Sequence, residues 1–350
     1  MAPRDPTLLP LDSKFIPRFA QIATFMRAQY RSSAAGLDIA MFGVPFDWGS
    51  SNRAGARHGP AQMREFSRLI RQVHFVTKMA PFDSCRIADI GDTPVNPLDL
   101  MGTLKDIQKF AADAIKAGAV TLAAGGDHTI ALPLMRAVAQ KHGPLGMLQF
   151  DSHPDTHDML LNHKYNHATC FRRAIEESVL DPKRHVMLGI RGTLYSPDDL
   201  DWAYAKGVTI ITIEDFYEMG VPKVIAKIRE VLGTNKPSYL TIDIDGMDPT
   251  CAPGTGAPEP GGLMTRDAQV ILRGMSGLNW VGADINEVSP PLDPMGQTAQ
   301  LANNLMFEEL CLLTEAIERR RAKGAPKRRS AAKAAAKKKP RTARSRARRR

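Results

Sequence analysis

Short apolar runs recur along the chain between residues 37 and 290, and they alternate with longer segments compatible with helices. The runs are almost continuously hydrophobic, as expected of strands that are buried on both faces and joined by crossover helices. The pattern therefore predicts an α/β fold, a three-layer αβα arrangement around a mostly parallel, about eight-stranded sheet. The predicted strands are residues 37–43, 86–90, 119–124, 145–151, 185–190, 208–213, 238–245 and 280–288.

The two ends of the chain have different patterns from the body. In residues 1–36, four apolar residues are at helical spacing, which predicts an arm or short helix packed on the body or on another subunit. They are Phe15, Phe19, Ile22 and Met26. Residues 37–320 are predicted to form one catalytic domain, and residues 321–350 to form a disordered basic tail that has no large apolar residue to bury.

The net charge of +10 comes from this tail, which holds 15 of the 47 Lys and Arg residues and none of the 37 Asp and Glu residues. The rest of the chain is therefore net acidic by five charges. Two interpretations of the tail stay open: a solubilising segment, or a contact with nucleic acid or another polyanion. In the second case the alternative class of protein is a nucleic-acid binder with an inert enzyme-like body.

Composition places the chain among ordinary globular proteins, with 43% hydrophobic and 24% charged residues. We expect no membrane partner, because no apolar stretch approaches the roughly 20 residues that span a bilayer. No signal-peptide pattern is present, so a cytoplasmic location is expected. The four cysteines show no CxxC spacing and are expected to be reduced.

Titratable residues follow the predicted third and fourth strands. His128 lies in AAGGDHTIALP, and FDSHPDTHD places Asp151, His153 and Asp155 at positions i, i+2 and i+4. In an extended segment such residues project to one side. Burying several unpaired charges at the end of a strand is costly, so a metal ion is the better explanation.

The seventh strand, TIDIDGMDP, places Asp243 and Asp245 on one side, and Glu287 ends the eighth strand. Two adjacent carboxylates require protonation or a cation. The strand ends together offer two imidazoles and four aspartates, and four negative charges match two divalent cations. Mixed oxygen and nitrogen ligands favour manganese, with nickel as an alternative. A single-zinc hydrolase on a related scaffold is the rival, but four carboxylates would overcompensate one zinc ion.

The motifs GGDH, FDSHPDTH and TIDIDGMDPTCAPGTGAPEPGG resemble the three metal-binding motifs of the ureohydrolase family, which includes arginase and agmatinase. NRAGARHGP and DINEVSPPLDPMGQTAQLA resemble its agmatinase branch, which contains guanidinobutyrase and guanidinopropionase. The resemblance covers roughly residues 15 to 318. It implies an arginase-like fold, a homo-oligomer (trimer or hexamer) and hydrolysis of a guanidino compound to urea and an amine.

The resemblance also implies roles for individual residues. It assigns six ligands to two manganese ions: His128 and Asp155 to one, His153 and Asp245 to the other, and Asp151 and Asp243 as bridges to both. Glu287 would hold the guanidinium, and His167, in YNHATCFRRA, would lie near the substrate. Asp155 or His167 would carry the proton to the leaving amine.

The resemblance leaves several guanidino compounds as candidate substrates. The agmatinase branch implies agmatine, which would give putrescine and urea. The alternatives are 4-guanidinobutyrate, 3-guanidinopropionate and guanidine itself. Lys164, on the loop before His167, favours an acid because a lysine attracts a carboxylate.

Overall fold

The computed structural model describes residues 5–324. All eight predicted strands are confirmed, most with ends within two residues of the prediction. The fifth begins five residues earlier than predicted. The strands are β1 (Ile39–Val44), β2 (Ile87–Asp92), β3 (Val120–Gly125), β4 (Leu145–Phe150), β5 (Leu180–Ile190), β6 (Thr209–Thr212), β7 (Pro237–Asp243) and β8 (Asn279–Asn286).

The strands form one eight-stranded sheet in the order β2-β1-β3-β8-β7-β4-β5-β6, and every pairing is parallel. Helices connect them. The helices are α1 (Gly59–Phe66), α2 (Pro81–Ser84), α3 (Leu100–Lys116), α4 (Ala131–His142), α5 (Cys170–Glu176), α6 (Asp201–Lys206), α7 (Ile213–Met219), α8 (Val221–Leu232), α9 (Thr265–Gly274) and α10 (Gln297–Gly324).

Both faces of the sheet are buried, which explains the continuous hydrophobic runs. In β1, Ile39 and Met41 belong to one core, and Ala40 and Phe42 belong to the other. The first core includes side chains from α8, α9 and α10, and the second includes side chains from α3 and α4. Alternate residues of a strand point to opposite faces. The predicted three-layer αβα architecture is therefore confirmed.

The strand order determines where the candidate residues meet. Strands β3, β8, β7 and β4 are neighbours at the centre of the sheet. Because they are parallel, their carboxyl ends share one edge, and ligands of open α/β sheets bind beyond such an edge. The six predicted metal ligands and Glu287 lie at the ends of these four strands or within five residues after them.

Of the two forms predicted for the N-terminal segment, an arm or a short helix, residues 5–36 show no α-helix. The described part of this segment contains only two 3₁₀ turns, Pro6–Leu8 and Phe25–Arg27. Gln21 and Met26 have left-handed backbones, with φ +75° and +56°, which a right-handed helix does not allow. Three of the four apolar residues are exposed rather than packed on the body, and only the fourth, Met26, is buried. The exposed three are Phe15 (84% exposed), Phe19 (85%) and Ile22 (87%). Their contact with another subunit stays a prediction.

The start of the predicted tail also needs correction. Helix α10 continues to Gly324, so residues 321–324 are helical. Arg321 forms an ion pair with the buried Asp38 at 2.6 Å, which ties this end of the helix to the body. The rest of the predicted tail, residues 325–350, lies outside the described residues. Within the described part of the chain, no helix combines the length and apolarity that crossing a membrane requires.

Candidate metal centre

His128 is positioned by the tight turn that follows β3. A Cβ atom at Gly126 would lie 2.1 Å from the carbonyl oxygen of Phe46, so only glycine permits this close approach. Asp127 then caps the 3₁₀ turn His128–Ile130 by accepting a hydrogen bond from the Thr129 amide at 2.9 Å. The turn leaves His128 fully buried at the edge of the sheet.

The residues after β4 do not form the extended segment that the sequence suggested. The strand ends at Phe150, and Asp155 has a left-handed backbone with φ +52°. Asp151 accepts a hydrogen bond from the His153 amide at 2.7 Å, a local bond that competes with strand pairing. The chain therefore turns. This turn brings Asp155, rather than a residue on the same side of a strand, to the His128 ring.

The end of β7 differs from the prediction in the same way. Asp243 is the last residue of the strand, whereas Asp245 lies in the 3₁₀ turn Ile244–Gly246. The Asp243 carboxylate accepts a hydrogen bond from the Asp245 amide at 2.9 Å. The two aspartates are therefore near each other because of a turn, not because they share one side of a strand.

Six of the predicted residues form two groups, and within each group one nitrogen or oxygen atom per side chain lies within 4.8 Å of the others. The inner group is His128, Asp151, Asp155 and Asp243, and the outer group is Asp151, His153 and Asp245. Asp151 belongs to both groups. Asp243 belongs to the inner group only, so its predicted role as a second bridge stays a prediction.

Hydrogen bonding determines which nitrogen of His128 faces the inner group. Nε2 lies 2.8 Å from the Thr241 hydroxyl oxygen, and that hydroxyl donates to Asp284 at 2.6 Å. Because the single hydroxyl proton goes to the Asp284 carboxylate, Thr241 accepts from Nε2–H. The unprotonated Nδ1 of the neutral ring therefore points into the inner group.

The surroundings of His128 Nδ1 fit a cation. Nδ1 is buried and has no hydrogen-bond partner among residues 5–324. Three carboxylate oxygens surround it, at 3.1 Å from Asp155 and at 3.2 Å from Asp151 and from Asp243. A nitrogen lone pair and three carboxylates repel one another unless a positive charge lies between them. This donor set is suitable for a divalent metal ion such as manganese.

The pKa values of these side chains reflect the same repulsion between neighbouring carboxylates. Burial, and then the charges of Asp155 and Asp245, raise the pKa of Asp151 to about 7. Burial, together with Asp245 and Asp151, raises the pKa of Asp243 well above its usual value. Burial alone would lower the pKa of His128, but the surrounding carboxylates raise it well above its ordinary value. Divalent cations would relieve this repulsion, because they compensate the carboxylate charges.

His167 and Glu287 meet beside the inner group. Glu287 follows β8, and its Oε1 accepts the backbone N–H of His128 at 2.9 Å. The Ser51 amide donates to His167 Nε2 at 3.2 Å, so the proton of the neutral ring is on Nδ1, which lies 3.3 Å from Glu287 Oε1. Burial would lower the pKa of His167, but Glu287 raises it to about 9.

The sequence did not indicate the residues that orient these side chains. Thr241 and Asp284 hold the His128 ring, and Ser51 holds His167. One pattern was available, because Thr241 precedes Asp243 by two residues and therefore faces the same side of β7. Ser51 had no such pattern, because it is 116 residues from His167 in the chain.

Comparison with known proteins agrees with this architecture. The chain is 49% identical over 311 residues to the guanidinopropionase of Pseudomonas aeruginosa, covering 89% of this chain and 97% of that protein. It is 42% identical over 305 residues to the mitochondrial agmatinase of Gallus gallus, covering 87% of this chain and 89% of that protein. The solved structure of proclavaminate amidino hydrolase from Streptomyces clavuligerus superposes with a TM-score of 0.83 at 40% identity, covering 86% of this chain and all of that one.

A parallel αβα sheet with two groups of His and Asp side chains at its carboxyl edge defines an α/β protein with a candidate metal centre. The model of the arginase family matches residues 37–311. The chain belongs to the arginase family.

Proposed function

We propose that this protein is a guanidino hydrolase that uses two manganese ions to release urea from a guanidino acid. One observation carries the proposal: the buried Nδ1 of His128, which has no hydrogen-bond partner in the described part of the chain, faces three carboxylates of the inner group. One of these, Asp151, also belongs to the outer group. Membership in the arginase family, and the relatives named as guanidino or amidino hydrolases, support it.

In this proposal the inner and outer groups hold one ion each, and Asp151 contacts both. The ligands are the six predicted from the sequence: His128, Asp151, His153, Asp155, Asp243 and Asp245. Manganese suits their mixture of carboxylate and imidazole donors, and nickel is the alternative. When bound, the pair of ions would lower the pKa of water and so supply a strong nucleophile.

The side chains beside the inner group would bind the guanidinium. Glu287 Oε1 already accepts from His128 and lies beside His167, whereas no partner of Oε2 is present among residues 5–324. Oε2 is therefore available to a planar cation through charge-assisted hydrogen bonds. A Cβ atom at Gly256 would lie 3.7 Å from Oε2, so the glycine leaves room beside it.

A proton must reach the amine as it leaves. His167 carries a proton on Nδ1 next to Glu287, where the guanidinium would be bound. Asp155 is the other candidate, because its carboxylate lies in the inner group. Either group would act as a general acid at hydrogen-bond distance from the leaving nitrogen.

An acidic substrate is favoured over agmatine by the charges on the loop before His167. Asp158, an acidic residue of this loop, pairs with Arg173 at 2.8 Å and lies 3.6 Å from Arg172, so it is not free to bind the second cation of a diamine. Lys164 on the same loop is exposed, and no ion pair of its side chain is present in the described part of the chain. The higher identity to guanidinopropionase than to agmatinase agrees. Agmatine, the substrate expected from the sequence, is not confirmed.

The test is urea release by the manganese-loaded full chain from 3-guanidinopropionate, 4-guanidinobutyrate, agmatine, arginine and guanidine. We expect the highest kcat/KM for one of the two acids. A higher kcat/KM for agmatine would contradict the acid assignment while leaving the reaction class intact. Absence of urea from all five, with manganese and with nickel, would contradict the reaction itself.

Two further expectations remain proposals. The first is a homo-oligomer, a trimer or hexamer, for which the exposed Phe15, Phe19 and Ile22 offer an apolar contact. The second is a contact between the basic tail and a polyanion, which concerns residues outside the described part of the chain.

A further inference from the structure

Gln149, in β4, contacts the carboxylate that the two ligand groups share. Its side-chain Nε2 donates to Asp151 Oδ2 at 2.8 Å and to the backbone carbonyl of His153 at 3.2 Å. A carboxylate and a carbonyl only accept hydrogen bonds, so the NH₂ group must face them. The amide therefore has one orientation, with Oε1 pointing away from the ligand groups.

Oε1 of Gln149 faces His185, in the neighbouring strand β5. The two atoms, Oε1 and His185 Nε2, are 2.8 Å apart. An amide oxygen only accepts, so His185 must carry its proton on Nε2. Burial lowers the pKa of His185 to about 3, so the ring is neutral at ordinary pH. Phe171 contacts both this ring, at 5.7 Å between ring centroids, and the His128 ring, at 4.9 Å.

These contacts fix both oxygens of Asp151. Oδ1 accepts from the His153 amide at 2.7 Å, and Oδ2 accepts from Gln149 at 2.8 Å. Each oxygen keeps a second lone-pair direction for a metal ion. Hydrogen bonds of this kind commonly orient a ligating carboxylate. Without His185, the amide would lose the bond that holds its Oε1 side.

We infer that Gln149, held by His185, is a positioning residue that sets the orientation of Asp151 toward the two metal ions. The inference rests on the proposed function, because it assumes that Asp151 is a ligand. In this inference His185 acts through its hydrogen bond to Gln149, because it belongs to neither ligand group.

The test is titration of the metal-stripped full chain with Mn²⁺, read as free Mn²⁺ by electron paramagnetic resonance. Gln149→Met keeps the length of the side chain but removes the donor, and we expect manganese binding to weaken by about 10- to 100-fold. Gln149→Leu is the second variant in case the first does not fold. Gln140→Met, at an exposed position on α4, is the matched control and should bind manganese as the wild type does.

A double-mutant cycle separates positioning from general support of the fold. His185→Leu alone should weaken manganese binding, but adding it to Gln149→Met should weaken binding no further. Additive effects would overturn the inference that His185 acts through Gln149. Equal affinity of the wild type and both Gln149 variants would overturn the inference while leaving the proposed function standing. Absence of manganese binding by the wild type would overturn both.

Discussion

Asp151→Asn is expected to abolish urea release, lowering kcat by at least about a thousandfold. Asp151 is fully buried and is the one residue common to the inner and outer groups. Asparagine keeps the size of the side chain but is neutral, so both ions would lose a charged ligand. Metal ions supply several kcal/mol of transition-state stabilisation, and each 1.36 kcal/mol corresponds to a factor of ten in rate. The measurements are the rate of urea release and the manganese bound per chain.

Two controls show that this loss would not be a folding defect. Asp113→Asn changes an exposed aspartate of α3 and should leave kcat unchanged. Because the pKa of Asp151 is raised from 3.8 to about 7, its ionisation lowers the stability of the folded, metal-free chain as the pH rises from about 4 to about 7, and the loss is complete above pH 7. Metal-free Asp151→Asn should therefore melt at a higher temperature than the metal-free wild type at pH 8. Near-normal turnover by Asp151→Asn would contradict the assignment of Asp151 as a shared ligand.

Glu287→Gln is expected to lower kcat/KM by about a hundredfold and to leave manganese binding unchanged. Glu287 is buried next to His167 but belongs to neither ligand group. Glutamine can still accept from the His128 amide through its side-chain oxygen, so the local fold should persist. The variant loses the negative charge opposite the guanidinium. Truncating one partner of a buried charged pair costs roughly 2–5 kcal/mol, and a hundredfold loss, about 2.7 kcal/mol, lies within that range.

The manganese titration distinguishes a role of Glu287 in binding the substrate from a role in holding the metal ions. Loss of both activity and manganese would mean that Glu287 supports the metal ions rather than the substrate. Glu177→Gln, which removes a partly exposed carboxylate paired with Arg136, is the matched control and should leave kcat/KM unchanged. An unchanged kcat/KM in Glu287→Gln would contradict the role of Glu287 in binding the guanidinium.

The sheet was predictable because a strand buried on both faces must be hydrophobic at almost every position. This holds for β1, in which Ile39 and Ala40 pack into opposite cores. The parallel arrangement then places residues that follow central strands at one edge. The residues of the inner and outer groups could therefore be predicted from the sequence.

Their geometry was not predictable from spacing alone. A two-residue period predicts one side only while the backbone is extended, and the backbone turns at Asp155 and at Asp245. Local hydrogen bonds from the carboxylates of Asp151 and Asp243 to following amides accompany these turns. The side chains converge because the loops fold, not because the strands continue.

Contacts between residues that are distant in the chain could not be predicted from the sequence either. Gln149 and His185 are 36 residues apart and meet because β4 pairs with β5 in the register that places Met147 opposite His185. Ser51 reaches His167 through a loop contact. The N-terminal segment is not helical where Gln21 and Met26 have left-handed backbones, and apolar spacing does not reveal a left-handed residue.

We propose that a pair of metal ions in the inner and outer groups is required to hydrolyse the guanidino group. A manganese titration tests this most directly. Metal-stripped full chain is titrated with Mn²⁺, and the rate of urea release from the best substrate of the panel is followed against manganese bound per chain. We expect little activity without metal, and a rate of urea release that reaches its plateau at two ions per chain. A plateau at one ion, or full activity in the stripped protein, would contradict it.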